Sequence, residues 1–374
     1  MKNIFEILRR IYNRIRRKRR FIQKIDNCVE LPDLSPSIAI DKSYSLISPV
    51  FAYDGSPYLE WRKKARSQLC ELLGFKSPHE RKIIESQLIW DAKDSVGNYE
   101  KLLLETTDNE FIPIYRGTPI GRDEPNKWVI CLQGHTSGMH VSLGTDSTET
   151  FTLSGNHSDR NVGQYALKEG YGIICIEQRA LGTRVETLQT RKAPHPCFDS
   201  SVQSILIGET LLGQRILDLI SVVNYFRKGG NNHECWGAVG NSLGGTVALY
   251  AAAISDDLDY VIPSCCISDF QHSLLKVYHC ADLYVPLLAQ YFRMSDILGL
   301  VAPKILIATA GVCDPIFPML GFRKTILEAK DIYLAADAAA ALRVVIGIGG
   351  HRLYTKEIFS ELATCSISPT STSS

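Results

Sequence analysis

The chain has 374 residues, with 41 Lys and Arg against 40 Asp and Glu, 45% hydrophobic and 22% charged residues. That profile belongs to a globular chain with a sizeable core and excludes a disordered, collagenous or coiled-coil protein. The balance hides an asymmetry: residues 1–24 hold ten Lys/Arg and one Glu, about +9, which leaves about −8 to the remainder. A nucleic-acid or membrane role would rest on that segment alone, and no nucleic-acid partner is expected. Lys304 and Arg343 interrupt the longest apolar runs, so none reaches the ~18 residues a membrane-spanning helix needs. Phe21, Ile22, Gln23 and Lys24 follow the basic cluster and do not form the apolar stretch of a secretory signal. Eleven cysteines without a C-x-x-C spacing indicate neither a zinc site nor a disulfide framework. Cys131 and Cys175 lie in apolar runs and read as buried small hydrophobes. A cytoplasmic location and the absence of metal and cofactor are the expectations.

In chain order, Ile4, Phe5, Leu8, Ile11, Tyr12 and Ile15 recur at helical spacing among seven arginines, predicting a basic amphipathic helix over 1–24. Its functional reading is peripheral attachment to an anionic membrane or to an acidic partner, and its plain one a solvated extension. Residues 25–56, carrying Pro and Ser, read as a linker or an irregular wrap over the body. A helix is predicted over 58–73, with Leu59, Trp61, Leu69, Leu72 and Leu73 on its apolar side and Gly74 stopping it.

Early antiparallel strands are expected over 81–90 and 101–115. Six short Ile- and Val-rich runs follow, over 128–133, 172–177, 235–240, 260–267, 304–310 and 342–348. Helices over 209–226, 243–253, 320–336 and 355–363 alternate with them. The pattern predicts an α/β fold over 57–363, a mostly parallel sheet with helices on both faces. Residues 267–303 read as a cap and 364–374 as a disordered tail.

Ligands of such sheets bind outside the carboxyl ends of the strands. There, Gly240, Asn241, Ser242, Leu243, Gly244 and Gly245 match G-x-S-x-G at a strand-to-helix junction, where a tight turn holds a nucleophilic serine. A serine hydroxyl needs a base oriented by an acid, in the chain order Ser, Asp or Glu, His. Asp314 follows the run 304–310, and His351 follows 342–348 through Gly349 and Gly350. Asp269 stays open as an alternative acid. The backbone N–H groups of His135, after the strand 128–133, and Leu243 are the candidate oxyanion donors. A second reading makes His135 a base. Arg179 is expected to brace the nucleophile loop. Phe270, Tyr278, Tyr284, Tyr291 and Phe292 are expected to roof the crevice together with the loop 136–161.

These residues resemble the α/β-hydrolase superfamily, and within it the dienelactone-hydrolase-like and acetyl-xylan-esterase-like proteins. The resemblance spans roughly 57–363 through the helix ending at Gly74, Cys131 to His135 with Gly138, Met139 and His140, Glu177 to Gly182, and Gly240 to Gly245. It continues through Tyr284, Val285 and Pro286, the run 296–303, and Asp314 to Pro318. It implies hydrolysis of small or acetylated carboxylic esters without a metal, through Ser242, His351 and Asp314. Gln133 stands where related hydrolases commonly carry His, and Ser242 stands where dienelactone hydrolases use cysteine. The expected partner is a small-molecule ester. An acyltransferase or peptidase on the same three residues, and a binding protein acting through 1–24, stay open.

Overall fold

The computed structural model describes residues 34–121, 125–147, 159–187, 195, 197–229, 234–367 and 369. The basic segment 1–24 therefore lies outside the described residues. The chain divides into two compact units, 1–45 and 46–374. In the first, helix α1 (Pro36–Ser45) occupies part of the stretch expected to be a linker. Pro36 is compatible with a first helical position, where a missing N–H costs nothing, a signal the linker reading overlooked. Residues 46–57 belong to the second unit, where the N–H groups of Val50 and Phe51 donate to the Gln290 and Tyr291 carbonyls at 3.0 and 2.8 Å.

The second unit opens with helix α2 (Tyr58–Leu73), stopped at Gly74 with φ 93°. Its buried side is Tyr58, Trp61, Ala65, Leu69, Cys70 and Leu73, whereas Leu59 points outward at 74% exposure. Among the described residues nine strands follow: β1 (Ile83–Lys93), β2 (Gly97–Thr106), β3 (Phe111–Pro119), β4 (Lys127–Leu132), β5 (Gly172–Ile176), β6 (Cys235–Asn241), β7 (Tyr260–Ser264), β8 (Ile305–Gly311) and β9 (Leu342–Gly347). They form one sheet in the order β1-β2-β3-β5-β4-β6-β7-β8-β9. The pairs from β1 to β5 are antiparallel and those from β5 to β9 parallel. The span 101–115, expected as one strand, is two. Thr107 to Glu110 turn the chain, with Asn109 at φ 60°, a conformation short polar side chains tolerate.

Helices α3 (His140–Leu143), α4 (Val162–Lys168), α5 (Phe198–Leu206), α6 (Leu211–Gly229), α7 (Leu243–Ile254), α8 (Leu288–Tyr291), α9 (Met294–Gly299), α10 (Met319–Ala335) and α11 (Thr355–Ala363) complete the unit. Every residue of α7 is buried, because it packs on β6 and β7 beneath α2, α6 and α9. Its sequence is apolar all round, as such a position requires. On the opposite face α4 and α11 cover Val129, Cys131, Ile173, Cys175, Val239, Ile262 and Ile307. Cys365 and Ile367 pack against that same core, within the stretch expected to begin the tail, and residues 370–374 lie outside the described residues.

Arg179 does not brace the nucleophile loop. Its guanidinium donates to Asp218 of α6 at 2.9 Å, where Arg81 and Arg184 each donate at 2.7 Å. Burial alone would raise the Asp218 pKa, but the three guanidiniums hold it at about 2. Replacing Asp218 by Asn removes the one buried carboxylate that three guanidiniums share, leaving them the more exposed Asp108 and Glu110, and is expected to cost ~3–5 kcal/mol in denaturant unfolding at neutral pH. Because the folded-state pKa is depressed from 3.8 to about 2, the charge contributes stability above the unfolded value and loses it as pH falls through the folded one. Wild-type stability should therefore drop more steeply than that of the variant between pH ~4 and ~2. Superimposable pH profiles would argue against the pairing.

Candidate active site

Ser242 sits between β6 and α7 with φ 55° and ψ −121°, a sparsely populated conformation for a residue with a side chain. Its N–H donates to the Ser264 carbonyl of β7 at 2.8 Å, and its own carbonyl accepts from Thr246 N–H at 2.9 Å. The flanking glycines are forced by close approach. A Cβ on Gly240 would lie 2.3 Å from the Gly244 carbonyl carbon, and one on Gly244 would lie 2.3 Å from the Leu132 carbonyl oxygen. Both obstacles are backbone and cannot rotate away. Gly244→Ala is accordingly expected to lose ~1–3 kcal/mol or more in a denaturant melt, or to fail to accumulate as soluble protein.

His351 follows β9, and its Nδ1–H donates to Asp314 Oδ2 at 2.9 Å. The other carboxylate oxygen, Oδ1, accepts the N–H groups of Ile316 and Phe317 at 2.8 and 3.1 Å. Burial pushes the Asp314 pKa up, yet the bonds from His351 and those two amides leave it below the usual carboxylate range. Phe317 stacks on the imidazole, with ring centres 5.9 Å apart. Asp269, the alternative acid, instead binds His272 at 2.6 Å and Lys324 at 3.0 Å.

Ser242 and His351 line one cavity of about 660 Å³. Among the described residues no hydrogen bond joins the serine hydroxyl to the imidazole, a contact that commonly tightens only when substrate is present. The N–H groups of His135 and Leu243 have no acceptor among the described residues. Leu243 N–H is at the first turn of α7, where the helix dipole favours negative charge. The loop bearing His135 is held by its neighbours: Gln178 Nε2 donates to the Gln133 carbonyl at 2.6 Å. Buried Glu177 accepts Met139 N–H at 2.8 Å and Thr183 N–H at 3.2 Å.

The His135 side chain lines the same cavity but pairs with a carboxylate other than Asp314. Its Nε2 lies 3.0 Å from Asp282 Oδ2. Burial lowers its pKa, but the Asp282 carboxylate and Cys197 outweigh that and lift it to about 9. Asp282 is itself gripped by Arg215 at 2.5 Å.

Of the five aromatic residues expected from 267–303, only Tyr278 lines the cavity, beside His279, Cys280 and Leu283. Phe292 is wholly buried and stacks on Phe51, as does Tyr291. Phe270 is buried too, and Tyr284 donates to the Leu274 carbonyl. Phe270 and Phe292 went to the core instead, whereas Tyr291 is half-buried and Tyr284 exposed. His279 packs edge-on against Phe317 and bonds Ser273 at 2.8 Å. Burial and the nearby imidazoles push its pKa down to about 4. Nothing in the local sequence marks His279, and the chain order had drawn attention to His351 alone. The loop 136–161 supplies Thr136, Val141, Ser142, Asp159 and Arg160. Three buried polar atoms of the lining, Gln133 Oε1, Thr136 Oγ1 and Asn241 Oδ1, have no partner among the described residues.

A parallel sheet with an antiparallel leading edge, a strained serine between strand and buried helix, and an acid and a histidine after the last two strands are the marks of the α/β-hydrolase fold. The chain has that fold. It is 28% identical over 301 residues to "Putative hydrolase YtaP" of Bacillus subtilis (strain 168), an alignment covering 78% of this chain and 94% of that one. The crystal structure of a "putative acetyl xylan esterase" from Bacteroides fragilis NCTC 9343 superposes with a TM-score of 0.71 at 14% identity, covering 90% of this chain and 97% of the other. A glucuronoyl esterase from Solibacter usitatus gives a TM-score of 0.57 at 13% identity, covering 85% and 98%. No protein-family model matches the chain.

Proposed function

We propose that the protein is a serine hydrolase that cleaves carboxylic esters through an acyl-enzyme. The observation that carries this reading is the 2.9 Å bond from His351 to Asp314 in the wall of a cavity that also holds Ser242 on its strained turn. In the first half-reaction Ser242 Oγ attacks the ester carbonyl while His351 Nε2 takes its proton. Asp314 fixes the imidazole with its proton on Nδ1 and stabilises the imidazolium. The oxyanion receives the N–H groups of His135 and Leu243, and removal of one such donor typically costs ~3 kcal/mol of barrier. His351 then protonates the leaving alcohol. In the second half-reaction it activates a water that releases the acid.

The substrate class follows from the lining. Apolar Leu132, Val141 and Leu353 stand beside Asp159, Arg160 and Arg352. The unpaired Gln133, Thr136 and Asn241 oxygens would accept hydrogen bonds from hydroxyl groups. A small ester of a polyhydroxylated alcohol, such as an acetylated sugar, satisfies both, and the esterase names of the superposed structures support that class. Among the described residues no helix is long and apolar enough to cross a membrane. Attachment of residues 1–24 to an anionic membrane or acidic partner is retained as part of the proposal.

A fluorophosphonate probe tests the assignment. Labelling is expected at one site per chain, on the peptide containing Ser242, and to be blocked by prior acylation with a slowly hydrolysed ester. Modification confined to any other peptide would sink it.

A further inference from the structure

Four side chains that are potential metal ligands meet beside the cavity, two of which, His135 and Cys280, also line it. They come from three segments far apart in the chain: His135 from the loop after β4, Cys197 at the head of α5, and Cys280 with Asp282 from the cap. His135 Nε2 stands 3.0 Å from Asp282 Oδ2 and 3.6 Å from Cys197 Sγ. All four donor atoms lie within 4.8 Å of one another. In a tetrahedral zinc centre, bonds of ~2.0–2.3 Å place the ligand atoms ~3.3–3.8 Å apart along each edge. The separations of 3.0 and 3.6 Å are close to those edges and no pair exceeds 4.8 Å, so an ion could enter with shifts of up to about an ångström.

We propose that His135, Cys197, Cys280 and Asp282 form a four-coordinate site for a zinc-class divalent cation. Two thiolates, an imidazole and one carboxylate are a borderline-soft set, suited to Zn(II) or Co(II) and unsuited to Mg(II) or Ca(II). Binding releases the two thiol protons and any proton on the imidazole to solvent. With Arg215 counted, the charges of ligands and ion then cancel. Arg215 supplies the outer support such sites need. It donates to Asp282 at 2.5 Å and, from Nε and Nη2, to the Arg179 carbonyl at 3.0 and 2.7 Å, so the carboxylate is held rigid. Cys197 is anchored in turn, its carbonyl accepting from Ser201 Oγ at 2.5 Å.

All four positions are filled by protein, so the ion would be structural, with no open place for a water. It would tie the cap to the loop whose His135 N–H faces the cavity. The site stands whether or not Ser242 is a nucleophile. The sequence could not show it, because 83 residues separate Cys197 from Cys280 and 62 separate His135 from Cys197.

The full-length protein, reduced and stripped with a chelator, is titrated anaerobically with Co(II). One equivalent per chain is expected, with the near-ultraviolet thiolate-to-cobalt band and the intense visible bands of a tetrahedral centre. Zn(II) should displace it and raise the melting temperature by mass action. Cys280→Ser and His135→Gln should each weaken Co(II) binding at least ~10-fold and abolish the Zn(II)-induced thermal shift, and Cys365→Ser should do neither. If one variant fails to fold, the other carries the comparison. Absence of tetrahedral bands in the wild type overturns the site. So does a Co(II) spectrum that survives Cys280→Ser or His135→Gln unchanged. Recovery of a Cys197–Cys280 disulfide in place of metal uptake overturns it in favour of a redox staple.

Discussion

Ser242→Ala is expected to lower kcat/KM for p-nitrophenyl acetate by about 10⁴–10⁶-fold while leaving the fold intact. The loss is large because the hydroxyl is the atom that forms the covalent bond, and a water placed by the oxyanion donors recovers only a small part of the rate. Stability should hold or improve slightly. Ser242 carries φ 55°, and its side chain makes no hydrogen bond among the described residues, so the substitution removes no structural contact. Hydrolysis at more than one hundredth of the wild-type rate by folded variant would place the chemistry elsewhere.

Asp314→Asn should cost about 10⁴-fold in kcat with a small change in KM. The backbone dictates the outcome. Ile316 and Phe317 N–H groups both point at Oδ1, so the amide oxygen of asparagine takes that end and its NH₂ group faces His351. The imidazole must then accept at Nδ1 and carry its proton on Nε2, the tautomer that cannot receive the serine proton. Asp269→Asn, which loses only partners at His272 and Lys324, should leave kcat within a few-fold. Equal losses in the two variants would break the assignment of the acid. A steady-state comparison of the two, with circular dichroism to verify folding, decides it.

The six parallel-sheet strands were legible because strands covered on both faces are written as unbroken apolar runs, although the edge strand β9 leaves Val344 and Ile346 exposed. Their ends agree with the expected ones to within three residues. The helix over 58–73 was marked by Gly74 and by Trp61, Leu69 and Leu73. What misled were features with two physical uses. Leu59 is apolar and exposed, and Phe292 is aromatic and buried, because burial depends on which side of an element meets a neighbour. The break between β2 and β3 was signalled by Asp108 and Asn109, a turn pair that strand periodicity concealed. Arg179 shows the same limit: its charge was plain, but the carboxylate it meets, Asp218, lies 39 residues away.

By itself the amino-acid order determined the layered α/β architecture, the serine turn with its two obligatory glycines, and the chain order of Ser242, Asp314 and His351. Those depend on short-range patterns of apolarity, chain flexibility and turn chemistry. Only the tertiary structure decided that Asp314 and not Asp269 faces the imidazole, that Tyr278 and His279 line the cavity, and that His135, Cys197, Cys280 and Asp282 converge. Such meetings arise when loops from separate strands are brought to one rim of a sheet, and no local rule of spacing encodes the distance between them.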